Sequence, residues 1–111
     1  CYPCIPSNAN LPRLNFLKDL FKNVGFSDHT QGINVSFSSL FYDVKYIEKH
    51  FTTDKDLPGR DNKFAILPNE MKQLSEFIKV HNDSNIFHGN DFQPEEEDSR
   101  KNYRSRFNNL T

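Results

Sequence analysis

The sequence predicts a mainly α-helical domain, a small bundle of three to four helices with one short pair of β-strands. Several stretches place apolar residues three and four positions apart, which is the period of an amphipathic helix. Asn, Pro and Gly stand at the ends of these stretches, where helices begin and end. A length of 111 residues suits one domain. Together these observations favour a helical fold.

The first helix is predicted over residues 11–24. Asn10 is suited to cap it, Pro12 fits its first turn, and Gly25 fits the position just after its end. Its apolar residues share one helical face because they recur three and four positions apart. They are Leu14, Leu17, Phe21 and Val24.

The middle of the chain has two interpretations. Strict alternation of apolar and polar residues predicts a strand over 33–37, and a helical stripe predicts a second helix over 39–51. The alternative is an α+β fold with a small antiparallel sheet. Its strands are 33–37, 43–47 and 63–67.

Two further helices are predicted in the second half, over 68–81 and 94–108. Pro68 and Pro94 fit first-turn positions. The acidic run 95–98 precedes basic residues, which is the order that the helix dipole favours. The expected organisation is an irregular arm at 1–10, a globular core at 11–92 and a charged helix at 93–111 that packs on the core or on a partner.

The charge balance argues against two classes of partner. There are 14 basic and 15 acidic residues, a net charge of −1. Nucleic-acid binding needs a concentrated basic surface, so no nucleic-acid partner is expected. No apolar run approaches the ~20 residues of a membrane span.

The only two cysteines, Cys1 and Cys4, stand three residues apart at the N-terminus. A redox pair of this spacing normally follows a strand in a βαβ unit, and no residue precedes Cys1 here. The four histidines lack a zinc-binding spacing, so no metal site is predicted. The favoured interpretation is a local disulfide ring or a link to another chain.

Three N-x-S/T sequons, at Asn34, Asn82 and Asn109, are candidate glycosylation sites. Together with a chain that begins at Cys1 without Met, they predict a processed, secreted glycoprotein. The alternatives are an ectodomain fragment and a chain lipid-anchored at Cys1.

The C-terminal segment is the candidate partner-binding surface because its apolar stripe is thin. The residues proposed to bind the partner are Arg100, Tyr103, Arg104 and Phe107. That partner would be a receptor or a companion chain.

No catalytic motif is found, and no catalytic residue or cofactor is predicted. The sequence therefore favours a secreted, non-catalytic protein that acts by protein–protein binding, such as a cytokine, hormone-like factor or effector. The first alternative is a propeptide, light chain or ectodomain fragment of a larger secreted protein. The second alternative is a thiol–disulfide redox protein that uses Cys1 and Cys4.

Overall fold

The computed structural model describes residues 1–103. Six helices and strands follow one another along the chain, with short 3-10 turns at Pro6–Asn8, Leu40–Tyr42 and Pro94–Glu96. In order, they are α1 (Arg13–Leu20), β1 (Gly25–Asp28), α2 (Asn34–Ser39), β2 (Tyr46–Lys49), α3 (Pro68–Ser84) and α4 (Glu97–Tyr103).

Strands β1 and β2 pair in parallel, in a register that sets Gly25 opposite Tyr46 and Asp28 opposite Lys49. Parallel strands need a crossover connection, and α2 lies within that connection. A further parallel bridge joins Phe51 to Ile66, just before α3. The described residues thus form an α/β unit. The predicted mainly α bundle is wrong, and so is the antiparallel alternative.

The middle of the chain reverses the predicted order of strand and helix. Residues 33–37, predicted as a strand, contribute to α2, which buries Val35, Ser36 and Ser39 together. The alternation was misleading because two of the buried residues are serines. The predicted helix over 39–51 is replaced by the 3-10 turn Leu40–Tyr42 and by β2. The turn ends at Asp43, whose φ of 58° is left-handed and stops a helix.

The first predicted helix is shorter than its apolar stripe. Helix α1 ends at Leu20 because Phe21 is extended, with φ −131° and ψ 140°. Gly25, predicted to follow the helix, instead begins β1. The helix predicted over 68–81 is present and continues to Ser84, with Pro68 at its start. The part of the predicted helix 94–108 that lies beyond residue 103 is outside the described residues.

The core is small and lies between α2, α3 and the chain before α3. Ile33, Ile66 and Leu74 form its centre, and Phe37 and Ile78 pack against them. Other large apolar side chains are exposed, among them Phe41 at 72%, Phe51 at 64% and Phe87 at 79%. The Cα radius of gyration is 20.0 Å, whereas a compact domain of this length has one of about 13 Å. The fold therefore leaves much apolar surface uncovered.

Within residues 1–103, no helix combines the length and the apolar character needed to cross a membrane.

Candidate active site

Two histidines lie side by side where the paired strands end. His29 directly follows β1 and His50 directly follows β2. Because the strands are parallel and in register, both rings lie at the same edge of the sheet, with their centroids 5.5 Å apart. In α/β folds, ligands bind at the carboxyl ends of parallel strands. This edge is therefore the candidate site.

The N-terminal arm places a third ring over the histidine pair. The backbone N–H of Cys4 donates to the carbonyl of His29 at 3.1 Å, which holds the arm beside β1. The Tyr2 ring then meets His29 edge to face at 4.7 Å between centroids, and lies 5.9 Å from His50. The arm is thus part of the site.

The loop after β2 brings a charged pair to the same place. The Arg60 guanidinium lies over the Tyr2 ring, 5.3 Å from its centroid. The interaction of the Tyr2 hydroxyl with the nearby Asp61 carboxylate raises the pKa of Tyr2 and lowers the pKa of Asp61. The charge of His50 lowers the pKa of Asp61 as well. The loop therefore couples electrostatically to the histidine pair.

One oxygen of Asp61 is left without a donor. Oδ1 is shielded from solvent and accepts no hydrogen bond within the described part of the chain. Arg60 Nε lies 3.7 Å from it, an ion-pair distance that is too long for a hydrogen bond. Shielded polar atoms are nearly always hydrogen-bonded, so this unmatched acceptor is an exception within residues 1–103.

A buried ion pair lies directly before the two histidines. Lys49 Nζ is 3.1 Å from Asp28 Oδ2, and the two side chains are 2% and 0% exposed. Burial by itself raises the pKa of Asp28. The hydrogen bonds from Ser36 and Thr30 and the charge of Lys49 outweigh that effect, so the pKa lies below its usual range. The carboxylate therefore remains charged at neutral pH.

The side chains of this site can transfer protons, bind an anion or hold a cation. Imidazole exchanges protons near neutral pH and also binds metal ions. His29 and His50 are the pair that a metal ion would contact here. No group of three possible ligands is found among residues 1–103, so such an ion would need ligands from outside them.

A parallel βαβ unit with polar side chains gathered at its strand ends is typical of α/β enzymes. Comparison with known proteins agrees with this class. Residues 1–86 match the NeuB family. The chain belongs to the NeuB family.

Named relatives are biosynthetic enzymes. The chain is 43% identical to the N,N'-diacetyllegionaminic acid synthase of Campylobacter jejuni over 79 residues, which cover 70% of this chain and 24% of that protein. The crystal structure of a sialic acid synthetase from Leptospira borgpetersenii, in complex with citrate, matches with a TM-score of 0.72 and 28% identity. That match covers 94% of this chain and 38% of the other. SpsE of Bacillus subtilis, a spore coat polysaccharide biosynthesis protein, matches with a TM-score of 0.70, 36% identity and coverages of 76% and 24%.

These relatives overturn the predicted function. The chain spans about a quarter of the length of the Campylobacter and Bacillus proteins. Because these proteins are synthases and polysaccharide biosynthesis proteins, the prediction of a secreted glycoprotein that signals by binding a receptor is wrong. The alternatives of a secreted-protein fragment and a thiol–disulfide redox protein are wrong for the same reason.

Among the predicted site residues that the structure describes, the N-terminal cysteines are the ones whose segment contacts the histidine pair. Cys1 and Cys4 are joined by a disulfide in the arm that carries Tyr2. Asn34 begins α2 and Asn82 lies in α3, both exposed, while Asn109 lies outside the described residues.

The predicted partner surface is described only in part. Arg100, in α4, pairs with Glu97 at 3.5 Å and lies over the Phe92 ring at 4.9 Å. Tyr103 ends α4, and Arg104 and Phe107 lie outside the described residues. The role of these residues in binding a partner stays a prediction.

Sequence analysis missed His29 and His50, although a signal was present. The segments "FSDHT" and "IEKHF" each place a histidine directly after a charged residue that follows an apolar residue and a polar one. Spacing along a single helix does not relate these two histidines. Two strands can bring together residues that are 21 positions apart, and a local spacing rule cannot detect that.

Proposed function

We propose that this chain forms part of the active site of a synthase that makes a sialic- or legionaminic-type sugar acid. The observation that carries the proposal is the pairing of His29 and His50 at the carboxyl ends of two parallel strands. Membership of the NeuB family supports it, since the relatives are named for such products.

Each group of the site has a role in this proposal. His29 and His50 contact the reacting substrate and move or hold its protons. Asp61, whose side chain is 43% exposed, accepts a hydrogen bond from the substrate, and sugars offer hydroxyl donors for such an acceptor. Arg60 adds a positive charge at the rim, which suits a carboxylate or another anionic group.

A chimera tests the proposal directly. Residues 1–86 replace the matching segment of the Campylobacter synthase, and formation of the sugar acid is measured. We expect the chimera to form product. We expect His29→Gln or His50→Gln to lower kcat on the order of 10²–10⁴-fold, the range for a lost proton-transfer group.

The matched control is His81→Gln, since His81 lies on α3 against Phe41 and Phe77, away from the strand ends. It should leave the rate within about a factor of two, because most surface changes have small effects. A folded chimera that forms no product contradicts the proposal. So does one whose rate survives both substitutions at the strand ends.

A further inference from the structure

We propose that Lys49, with Asp28, is a positioning residue that fixes the register and spacing of the His29–His50 pair. This inference rests on the proposed function, because it assigns a role toward the same site. The two residues directly precede the two histidines and lie opposite each other in the strand register. The pair thus connects the two strands at the last position before the site.

The Lys49 ammonium contacts the residues on both sides of His29. Lys49 Nζ donates to the carbonyl of Thr30 at 2.7 Å and lies 3.1 Å from Asp28. The Lys49 side chain, from β2, therefore contacts both Asp28, which precedes His29, and Thr30, which follows it. The carbonyl of His29 itself accepts from Cys4. Displacement of His29 would have to break several of these contacts at once.

Both carboxylate oxygens of Asp28 have hydrogen-bond or ion-pair partners. Oδ1 accepts from the N–H of Thr30 at 2.9 Å and from its hydroxyl at 2.7 Å. Oδ2 accepts from the hydroxyl of Ser36 in α2 and faces Lys49. Through the Asp28 carboxylate, this network connects β1 with the loop that follows it, with α2 and with β2. It leaves no acceptor oxygen of Asp28 free for a ligand, which argues for a supporting role instead of substrate contact.

The energetics of a buried ion pair favour a role in register. Such a pair contributes little net stability, because the cost of desolvating two charges offsets their attraction. It does penalise misalignment. If β2 slipped by one residue, two buried charges would lose their partners, and every side chain on the strand would change face. The pair thus selects the one register in which His29 and His50 are adjacent.

The test uses the protein at its native length. In Asp28→Asn/Lys49→Met both charges are removed, so neither is left buried alone. We expect it to fold, with imidazole NMR signals of His29 and His50 that differ from those of the wild type. We expect kcat/KM to fall on the order of 100-fold, as for a misplacement of about 1 Å. Lys49→Arg keeps the charge and should retain more activity than Lys49→Met.

The control removes an exposed pair, Lys72 and Glu76, which lie 4.0 Å apart on α3. Lys72→Met/Glu76→Gln should leave the histidine signals and the rate unchanged. If Asp28→Asn/Lys49→Met folds and keeps wild-type signals and activity, the positioning role is overturned. Should that variant not fold, Lys49→Gln, which supplies a neutral amide donor, takes its place. Altered histidine signals with lower activity would then support the positioning role, and wild-type signals and activity would overturn it. If the wild type makes no sugar acid, the proposed function fails, while the NMR comparison still decides the positioning role.

Discussion

The Tyr46 ring lies over Gly25 on the paired strand, so closely that a Cβ at residue 25 would overlap the ring. The two residues are register partners at the start of β1 and β2. Gly25 is therefore required for close approach. Sequence analysis had given it a role in ending a helix, because glycine serves both purposes and the local sequence does not distinguish them.

Gly25→Ala should destabilise the protein by about 1–3 kcal/mol, the usual cost of overpacking. Tyr46 is 63% exposed, so its ring can turn away, and we expect a value toward the lower end. Tyr46→Ala should remove most of the penalty. A double-mutant cycle measured by urea unfolding checks this. Additive effects of the two substitutions would show that the ring does not restrict residue 25.

The Asp28–Lys49 pair should make stability depend on pH in acid. The pKa of Asp28 is lowered in the folded state, so the unfolded chain binds more protons between the folded value and the unfolded value of about 3.9. Stability contributed by this group is then complete above the unfolded value. It is lost as the pH falls through the folded value.

We expect the free energy of unfolding to fall more steeply below pH ~4 in the wild type than in Asp28→Asn/Lys49→Met. Urea unfolding at a series of pH values measures both slopes. Asp61→Asn is the companion variant, since the pKa of Asp61 is also lowered. Parallel pH profiles for the wild type and the double variant would contradict the assignment to Asp28.

The same ion pair explains why the sheet could not be predicted from the sequence. Strands of a parallel sheet usually appear as apolar runs, because both faces are buried. Here each strand has four residues and ends in a charge, as "GFSD" and "YIEK". A single charged residue in a short segment normally indicates that its side chain is exposed to solvent. Their burial depends on the pairing of Asp28 with Lys49 and on the hydrogen bonds from Thr30 and Ser36, all of which require the fold.

Helix α3 could be predicted because its signals are local. Pro68 fixes the first turn, and Leu74 and Ile78 face the core four residues apart. The candidate site lacked such signals, because Tyr2, His29 and His50 come from three separate segments. Local periodicity identifies a long amphipathic helix, whereas a site assembled at strand ends depends on topology.

Ile66 should be one of the most sensitive core positions. It is 0% exposed, and its backbone is hydrogen-bonded on both sides of Phe51, to His50 and to Thr52. Ile66→Ala should cost about 2–5 kcal/mol, the range for truncating a buried aliphatic side chain. Because the same strand segment holds His50, we also expect the His50 imidazole signals to broaden or shift.

Val80→Ala is the control for Ile66→Ala, since Val80 is 64% exposed on α3. Its effect should stay within about 0.5 kcal/mol. Urea unfolding provides both values. Equal effects of the two substitutions would mean that the Ile33–Ile66–Leu74 cluster does not dominate the stability of this unit.

The start of α3 offers a test that is independent of the sheet. Glu70 Oε1 accepts from the backbone N–H of Leu67 at 3.0 Å, and Lys55 Nζ lies 3.8 Å from the same oxygen. Glu70→Ala removes the acceptor and a charge that suits the helix dipole, so we expect a loss of about 1 kcal/mol. Glu70→Gln keeps the acceptor and should lose less. Glu76→Ala, in the middle of the same helix, should lose about 0.5 kcal/mol or less. If Glu70→Gln destabilises as much as Glu70→Ala in urea unfolding, the charge, and not the hydrogen bond to Leu67, stabilises this end of α3.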